Sequence, residues 1–378
     1  MNPVSHLYIH LPFCMSRCGY CDFYSTTGKL DLAPAYVEGL IGELGSYALP
    51  AASLETVYLG GGTPVMLGAS QLRKLLAAVR EKTASGAEIT VEANPSQLTP
   101  LLAASLIGSG ATRVSLGVQS FDRRLRQVLG RAGSGAAAAV AAQVLRGAGF
   151  DNIGMDFIFG IPGQSVASIK KDLKRALAMA PEHISCYELS MKEGSAFKRR
   201  WVRQLPAEDE CAQMYEAAIE ILEEAGYRWY ETSNFALPGR ECRHNLAYWS
   251  GADYIGLGAG AWSTIGRKRW RNAEDVESYI GQGRAQGRGR EFNQGRRFEV
   301  LTQEQKEAER VFLGLRREVG VDLAGSGEAV DSVQLNILQQ NGFLQTLDGK
   351  ICLTRAGRFV ANDVCARLLQ SWDRAGAG

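Results

Sequence analysis

No stretch of this chain approaches the roughly 18 unbroken apolar residues needed to span a bilayer. Its first apolar run is interrupted by Pro12 and Cys14 and has no basic segment ahead of it. Neither a membrane span nor a secretory leader is therefore expected. An excess of charge of one sign is missing as well. The 42 lysines and arginines against 40 aspartates and glutamates leave a formal +2, which demands no polyanionic partner. Histidine is scarce, with four in 378 residues, so any imidazole ligand set is thin. The 43 glycines follow no collagen-like period. Eight cysteines in so long a chain without a leader argue against a disulfide framework and for a reducing, cytoplasmic setting. What is present, 46% hydrophobic and 22% charged residues, describes a globular protein with ample core material.

The first two-thirds alternates short β-rich runs with helical patterns. Strands are expected at residues 7–10, 56–59, 88–91, 113–116, 153–157 and 183–187. Helices are expected after Ser70, where leucines recur at helical spacing, at Thr99-Pro100, an N-cap with an N1 proline, from Ser165 to Met179, and from Ala207 to Ala225 behind Pro206. Repeated β–α units imply a parallel sheet covered by helices. Six of them suit a partial (β/α)6 barrel, with an open doubly wound sheet as the alternative. Residues 281–290, rich in glycine and arginine, read as a connector. Beyond it, the pattern predicts a helix from Thr302 to Arg317, a second over 329–340, a hairpin turned at Asp348-Gly349, and a last helix from Thr354 to Leu369. The expected organisation is a barrel over 1–235, an extension and connector over 236–298, and a small winged-helix-like domain over 299–378.

Three of the eight cysteines stand together as C-x3-C-x2-C: Cys14, Cys18 and Cys21. The other five are scattered and read as buried apolar residues. Three thiolates within eight residues converge on one centre only if the backbone curls, which Gly19 permits. A structural zinc would want a fourth ligand nearby. An iron–sulfur cubane held by three cysteines keeps one iron open for a substrate or cofactor.

With Tyr20 before its last cysteine, this loop resembles that of the radical S-adenosylmethionine (SAM) superfamily, in which a [4Fe–4S] cluster binds SAM at the open iron. Parallel barrels place their chemistry at the C-terminal ends of strands, and candidates occur at nearly every such end. They are Gly60-Gly61-Gly62-Thr63-Pro64, Glu92, Gln119, Asp156 and, after Leu129-Gly130, Arg131. The order of these motifs is similar to the branch containing oxygen-independent coproporphyrinogen dehydrogenases and haem chaperones. The likeness starts at Tyr8-Ile9-His10-Leu11-Pro12-Phe13-Cys14 and extends to Phe312-Leu313-Gly314-Leu315-Arg316 and Leu353-Thr354. It implies cluster ligation by Cys14, Cys18 and Cys21, and SAM contacts at Tyr8, Gly61, Gly62, Thr63, Glu92, Gln119, Arg131 and Asp156.

Two features separate the branches. The dehydrogenase pattern has a further cysteine two positions past the third, where this chain has Phe23, and an N-terminal extension for which there is no room ahead of Cys14. His244-Asn245-Leu246-Ala247-Tyr248-Trp249 is similar to a motif of the haem-chaperone branch, and His244 is the candidate haem ligand. Gly133 and Trp262 stand where the family commonly has histidine. The resemblance therefore implies a haem chaperone with a cluster, SAM and haem that delivers haem to an acceptor protein. The alternatives are a porphyrinogen oxidative decarboxylase and, through the basic run 267–271, an RNA-modifying enzyme.

Overall fold

A computed structural model of the chain describes residues 4–131, 133–286 and 295–369. Six strands follow one another across the sheet in chain order: β1 (His6–Leu11), β2 (Leu54–Gly61), β3 (Thr83–Ala93), β4 (Arg113–Gln119), β5 (Ile153–Phe159) and β6 (His183–Glu188). Each pairs in parallel with the next. Between them run α1 (Ala33–Ser46), α2 (Gly68–Arg80), α3 (Pro100–Gly108), α4 (Arg123–Val128), α5 (Ala137–Ala148) and α6 (Val166–Leu177). This is the six-unit β/α arrangement expected from the sequence.

The local reasons are legible. In α2, Leu72, Leu75, Leu76 and Val79 are buried at i, i+3, i+4 and i+7. The Thr99 hydroxyl accepts from the Leu102 N–H with Pro100 in the first turn, and Ser165 opens α6 with a reciprocal capping box. The strands alternate with period two. Leu7, Ile9, Leu11, Val57, Leu59, Val114, Leu116, Met155 and Phe157 join the apolar core that also holds the helix residues Tyr36, Leu40 and Leu75. The intervening residues Tyr8, His10, Tyr58, Glu92, Ser115 and Asp156 share the opposite, concave face. That face is polar, and its members bond to one another.

The sheet goes on at both sides. After α7 (Ala196–Trp201) and α8 (Glu208–Glu224), β7 (Arg228–Glu231) and β8 (Asn234–Ala236) add antiparallel to β6. After α9 (Arg243–Trp249), β9 (Tyr254–Leu257) pairs in parallel with β1, and β10 (Trp262–Ile265), β11 (Lys268–Arg271) and β12 (Arg297–Val300) follow antiparallel. Among the described residues the sheet has twelve strands, with β12 and β7 at its edges.

Two expectations change. Helix α10 (Val276–Gln286) runs through the first part of the glycine- and arginine-rich stretch; residues 287–290 of that stretch lie outside the described residues. The last expected helix is two, α13 (Arg355–Phe359) and α14 (Ala361–Leu368), because Val360 leaves the helical region at φ −119°, ψ 30°. Ahead of them, α11 (Gln303–Gly314), α12 (Ser332–Gln340) and the hairpin β13 (Leu344–Leu347)/β14 (Lys350–Leu353) share an apolar cluster of their own with α14. Asp348 and Gly349 both take positive φ, as a two-residue hairpin turn requires.

Candidate functional site

A cleft of about 480 Å³ opens at the C-terminal ends of the parallel strands. The cysteine loop leaves β1 and forms part of its wall. Its two ends are tied together: Cys14 N–H donates to the Thr26 carbonyl at 2.9 Å and Thr26 N–H to the Pro12 carbonyl at 2.7 Å. The chain between must curl back on itself, and Cys21 N–H closes onto the Cys18 carbonyl at 3.2 Å. At Gly19 the loop passes so close to Phe197 of α7 that a Cβ would sit 2.6 Å from the ring. All three thiols are free and half-buried. Cys14 Sγ lies 3.8 Å from Thr63 Oγ1, Cys18 Sγ lies 4.0 Å from Arg131 Nη1, and Cys21 faces the cleft.

Three soft thiol donors on one curled loop are the ligand chemistry of an iron–sulfur cluster. Among the described residues no group of three or more His, Cys, Asp or Glu side chains stands arranged around a single metal ion. A cubane instead spreads its three cysteines over three irons.

The triple glycine lies alongside the end of β1. Gly62 N–H donates to the Leu11 carbonyl and Thr63 N–H to the Phe13 carbonyl, both at 2.9 Å. A Cβ at Gly62 would stand 2.7 Å from the Leu11 oxygen, and one at Gly61, where φ is +101°, would collide with the His10 ring. Packing against β1 therefore requires glycine at these positions, and the loop's other side borders the cleft.

Glu92 is held by both oxygens: Tyr58 donates its hydroxyl to Oε1 at 2.9 Å and Gly61 its N–H to Oε2 at 3.2 Å. Burial, then the neighbouring Asp156, pushes its carboxyl up to about 7. Asp156 accepts from Ser115 Oγ at 3.1 and 3.2 Å, and burial raises its carboxyl too. Gln119 sits at φ +68°, at a register shift between β4 and β5, a strained conformation of the kind that clusters at binding sites. Arg131 bonds the Gly117 carbonyl through Nη2, and its buried Nε has no hydrogen-bond partner among the described residues.

The structure thus gathers Gly61, Gly62, Thr63, Glu92, Gln119, Arg131, Asp156 and Cys21 around one cavity. Tyr8 lies outside its lining, donating its hydroxyl to His10 Nδ1 at 2.9 Å. Sequence reasoning missed Tyr58, Ser115 and Tyr187, which also line it. The signal was the two-residue spacing: Tyr58 precedes Gly60 on the same face, as Ser115 precedes Gly117.

His244 is not part of this cavity. It lies in the first turn of α9, at the other end of the strands. Its backbone N–H donates to Glu88 Oε1 at 3.1 Å, and its Nδ1 is 2.8 Å from Thr56 Oγ1. The void beside it, also bordered by His6 and Tyr254, is about 10 Å³, room for one water and far too little for a macrocycle. Burial pushes the imidazole down to about 3. The haem-ligand expectation for His244 is therefore not met by its surroundings. The basic run is also engaged within the chain: Arg269 pairs with Glu309, Arg271 with Glu274, and Trp270 is buried. Among the described residues no helix is long and apolar enough to cross a membrane.

A family model described as the Radical SAM superfamily matches residues 8–176. The heme chaperone HemW of Lactococcus lactis subsp. lactis is 38% identical over 319 residues, covering 83% of this chain and 82% of that protein. The heme chaperone HemW of Mycobacterium tuberculosis is 36% identical over 384 residues, covering 96% and 94%. Coproporphyrinogen III oxidase (HemN) from Escherichia coli, a radical SAM enzyme of known structure, matches at a TM-score of 0.82 and 24% identity over 97% of this chain and 90% of that one, which shows a shared fold.

Proposed function

This chain belongs to the radical SAM superfamily and, within it, to the family of proteins named heme chaperone HemW, and from that premise we propose that it is a cytoplasmic haem chaperone. It carries a [4Fe–4S] cluster on Cys14, Cys18 and Cys21, binds SAM beside it, binds haem, and passes haem to an acceptor protein. The organisation follows the sequence reading: a barrel over 1–235, an extension over 236–298 and a small C-terminal domain over 299–378. The separate apolar cluster beginning at Ala308 supports that division.

One observation carries the cofactor assignment. A fixed carboxylate, Glu92, and a guanidinium with an unpaired buried nitrogen, Arg131, border the same cleft as Cys21. The methionine portion of SAM presents an ammonium and a carboxylate, the complement of that pair. Gly61, Gly62 and Thr63 supply the close wall, Gln119 and Asp156 the floor, and Tyr8 the support beneath. When bound, the cluster supplies an iron with a free coordination position and a transferable electron. The chain's own part is to hold the two cofactors side by side and to keep the charges in place.

Position 23 favours the chaperone over the oxidative decarboxylase. Phe23 stands on the cleft wall, 64% exposed, where the dehydrogenase pattern has a cysteine. The test is anaerobic incubation of reconstituted protein with coproporphyrinogen, SAM and a reductant, alongside a haem titration. A saturating Soret band without decarboxylated product is the expected result. Product formation, or no saturable haem band, overturns the proposal.

A further inference from the structure

The H-N-x-x-Y-W motif has no part in the cofactor cleft, yet a continuous line of contacts joins the two. The His244 ring lies 5.3 Å from the Tyr58 ring, tilted by 31°. On its other neighbour strand, Tyr8 stacks on Tyr58 at 6.4 Å. Tyr58 is thus flanked by two rings, and its hydroxyl is aimed at Glu92 Oε1. His244 is itself anchored twice, by Thr56 Oγ1 on its Nδ1 and by Glu88 on its backbone N–H. Glu88 also accepts from Arg243 N–H at 3.0 Å, so the whole first turn of α9 is fastened to β3.

A carboxylate held at only one oxygen turns freely about its last bond. Here the Gly61 N–H takes Oε2 and the tyrosine hydroxyl takes Oε1, which fixes both the plane and the direction of the group. We propose that Tyr58 is a positioning residue for the cofactor's ammonium, orienting Glu92, and that His244 of the motif keeps the Tyr58 ring in place. The inference rests on the reading of Glu92 as the SAM contact. It gives the motif a task in SAM binding at the far end of the barrel from the cysteine loop.

A hydroxyl donated to a carboxylate also favours its ionised form. The groups facing Glu92 are Tyr8 of β1, Tyr58 of β2, Arg113 of β4, Asp156 of β5 and Tyr187 of β6. Arg113 favours the ionised carboxylate and Asp156 opposes it, while Arg131 borders the same cleft and acts on Asp156. Loss of the Tyr58 hydroxyl therefore leaves Glu92 protonated to higher pH, so SAM affinity acquires a later onset as pH rises. A residue that merely filled space would not move that onset.

The experiment is calorimetric SAM binding to the reconstituted, iron-loaded protein between pH 6 and 8.5. Tyr58→Phe is expected to retain parental iron and sulfide, to weaken SAM binding about tenfold near pH 7, and to shift the pH onset upward. His244→Ala is expected to weaken SAM binding in the same sense with iron unchanged, and it stands in should Tyr58→Phe fail to fold. Glu92→Gln is expected to abolish the pH dependence. Parental SAM affinity and pH onset in whichever of the two variants folds overturn the inference. A parent protein that binds no SAM at all overturns instead the cofactor reading on which it rests.

Discussion

His10 Nε2 donates to the Tyr24 carbonyl at 2.8 Å, tying the segment that returns from the cysteine loop to the strand that leads into it. A carbonyl can only accept, so Nε2 carries the proton. Burial pushes the imidazole down to about 4, so the ring is neutral and Nδ1 accepts from Tyr8. His10→Phe keeps a ring of similar size and gives up both bonds. The expected outcome is a reconstituted cluster that bleaches in air several-fold faster, with stability lowered by about 1–3 kcal/mol. Bleaching at the parental rate would show that the loop does not depend on this tie.

Single serine substitutions at Cys14, Cys18 and Cys21 are each expected to remove most of the iron and acid-labile sulfide recovered after anaerobic reconstitution. Cys211→Ser is expected to leave both intact, because that thiol stands apart, against Gly160 and Glu188. Metal analysis with the ultraviolet–visible spectrum reads the result. Equal iron in all four variants would remove the cluster assignment.

Glu92 and Glu231 are both raised from 4.5 to about 7, chiefly by burial. Each folded-state value lies above the unfolded one. The protonated groups stabilise the fold fully below about pH 4.5, and that contribution is lost as pH rises through about 7. His10 and His244 have the opposite slope, since burial depresses them and their penalty fades as pH climbs toward 6.5. Comparing the cofactor-free parent with Glu92→Gln cancels the histidines. The variant should gain on the parent by up to roughly 3 kcal/mol between pH 5 and 8 in urea melts. A constant difference across that range would contradict the Glu92 shift.

Glu43 of α1, fully buried, accepts from Tyr279 at 2.5 Å, Asn272 at 2.9 Å, Gly258 N–H at 3.0 Å and Arg296 at 2.6 Å. Glu43→Leu strands those donors and should cost about 3–5 kcal/mol in a denaturant melt. Arg228→Ala, which breaks the half-exposed pair with Glu318, should cost less than about 1 kcal/mol. Similar losses in both would show that the Glu43 network contributes no more than a surface pair.

The six parallel strands were legible because each is a short β-rich run followed by a helical pattern, and that local pattern survives in the fold. The strand-end residues Glu92, Gln119 and Asp156 were legible for the same reason: position along a parallel strand places a side chain at the cleft. The surroundings of His244 were not legible because they are long-range. Thr56, Tyr58 and Glu88 surround it from 188, 186 and 156 residues away in the sequence, and no spacing within the motif encodes those partners. Helix α10 was hidden because Gly281 and Gly283 lower helix propensity, while Tyr279 and Ile280 ahead of them bury against the core and hold the helix anyway.

The polar concave face has a consequence for how this protein can change over time. Leucine in place of Glu92 and Asp156 would relieve the desolvation of two buried carboxylates and yield a sturdier chain with a less polar cleft. Selection for robustness alone would therefore strip the cleft of its acids, and selection for binding is what opposes that drift.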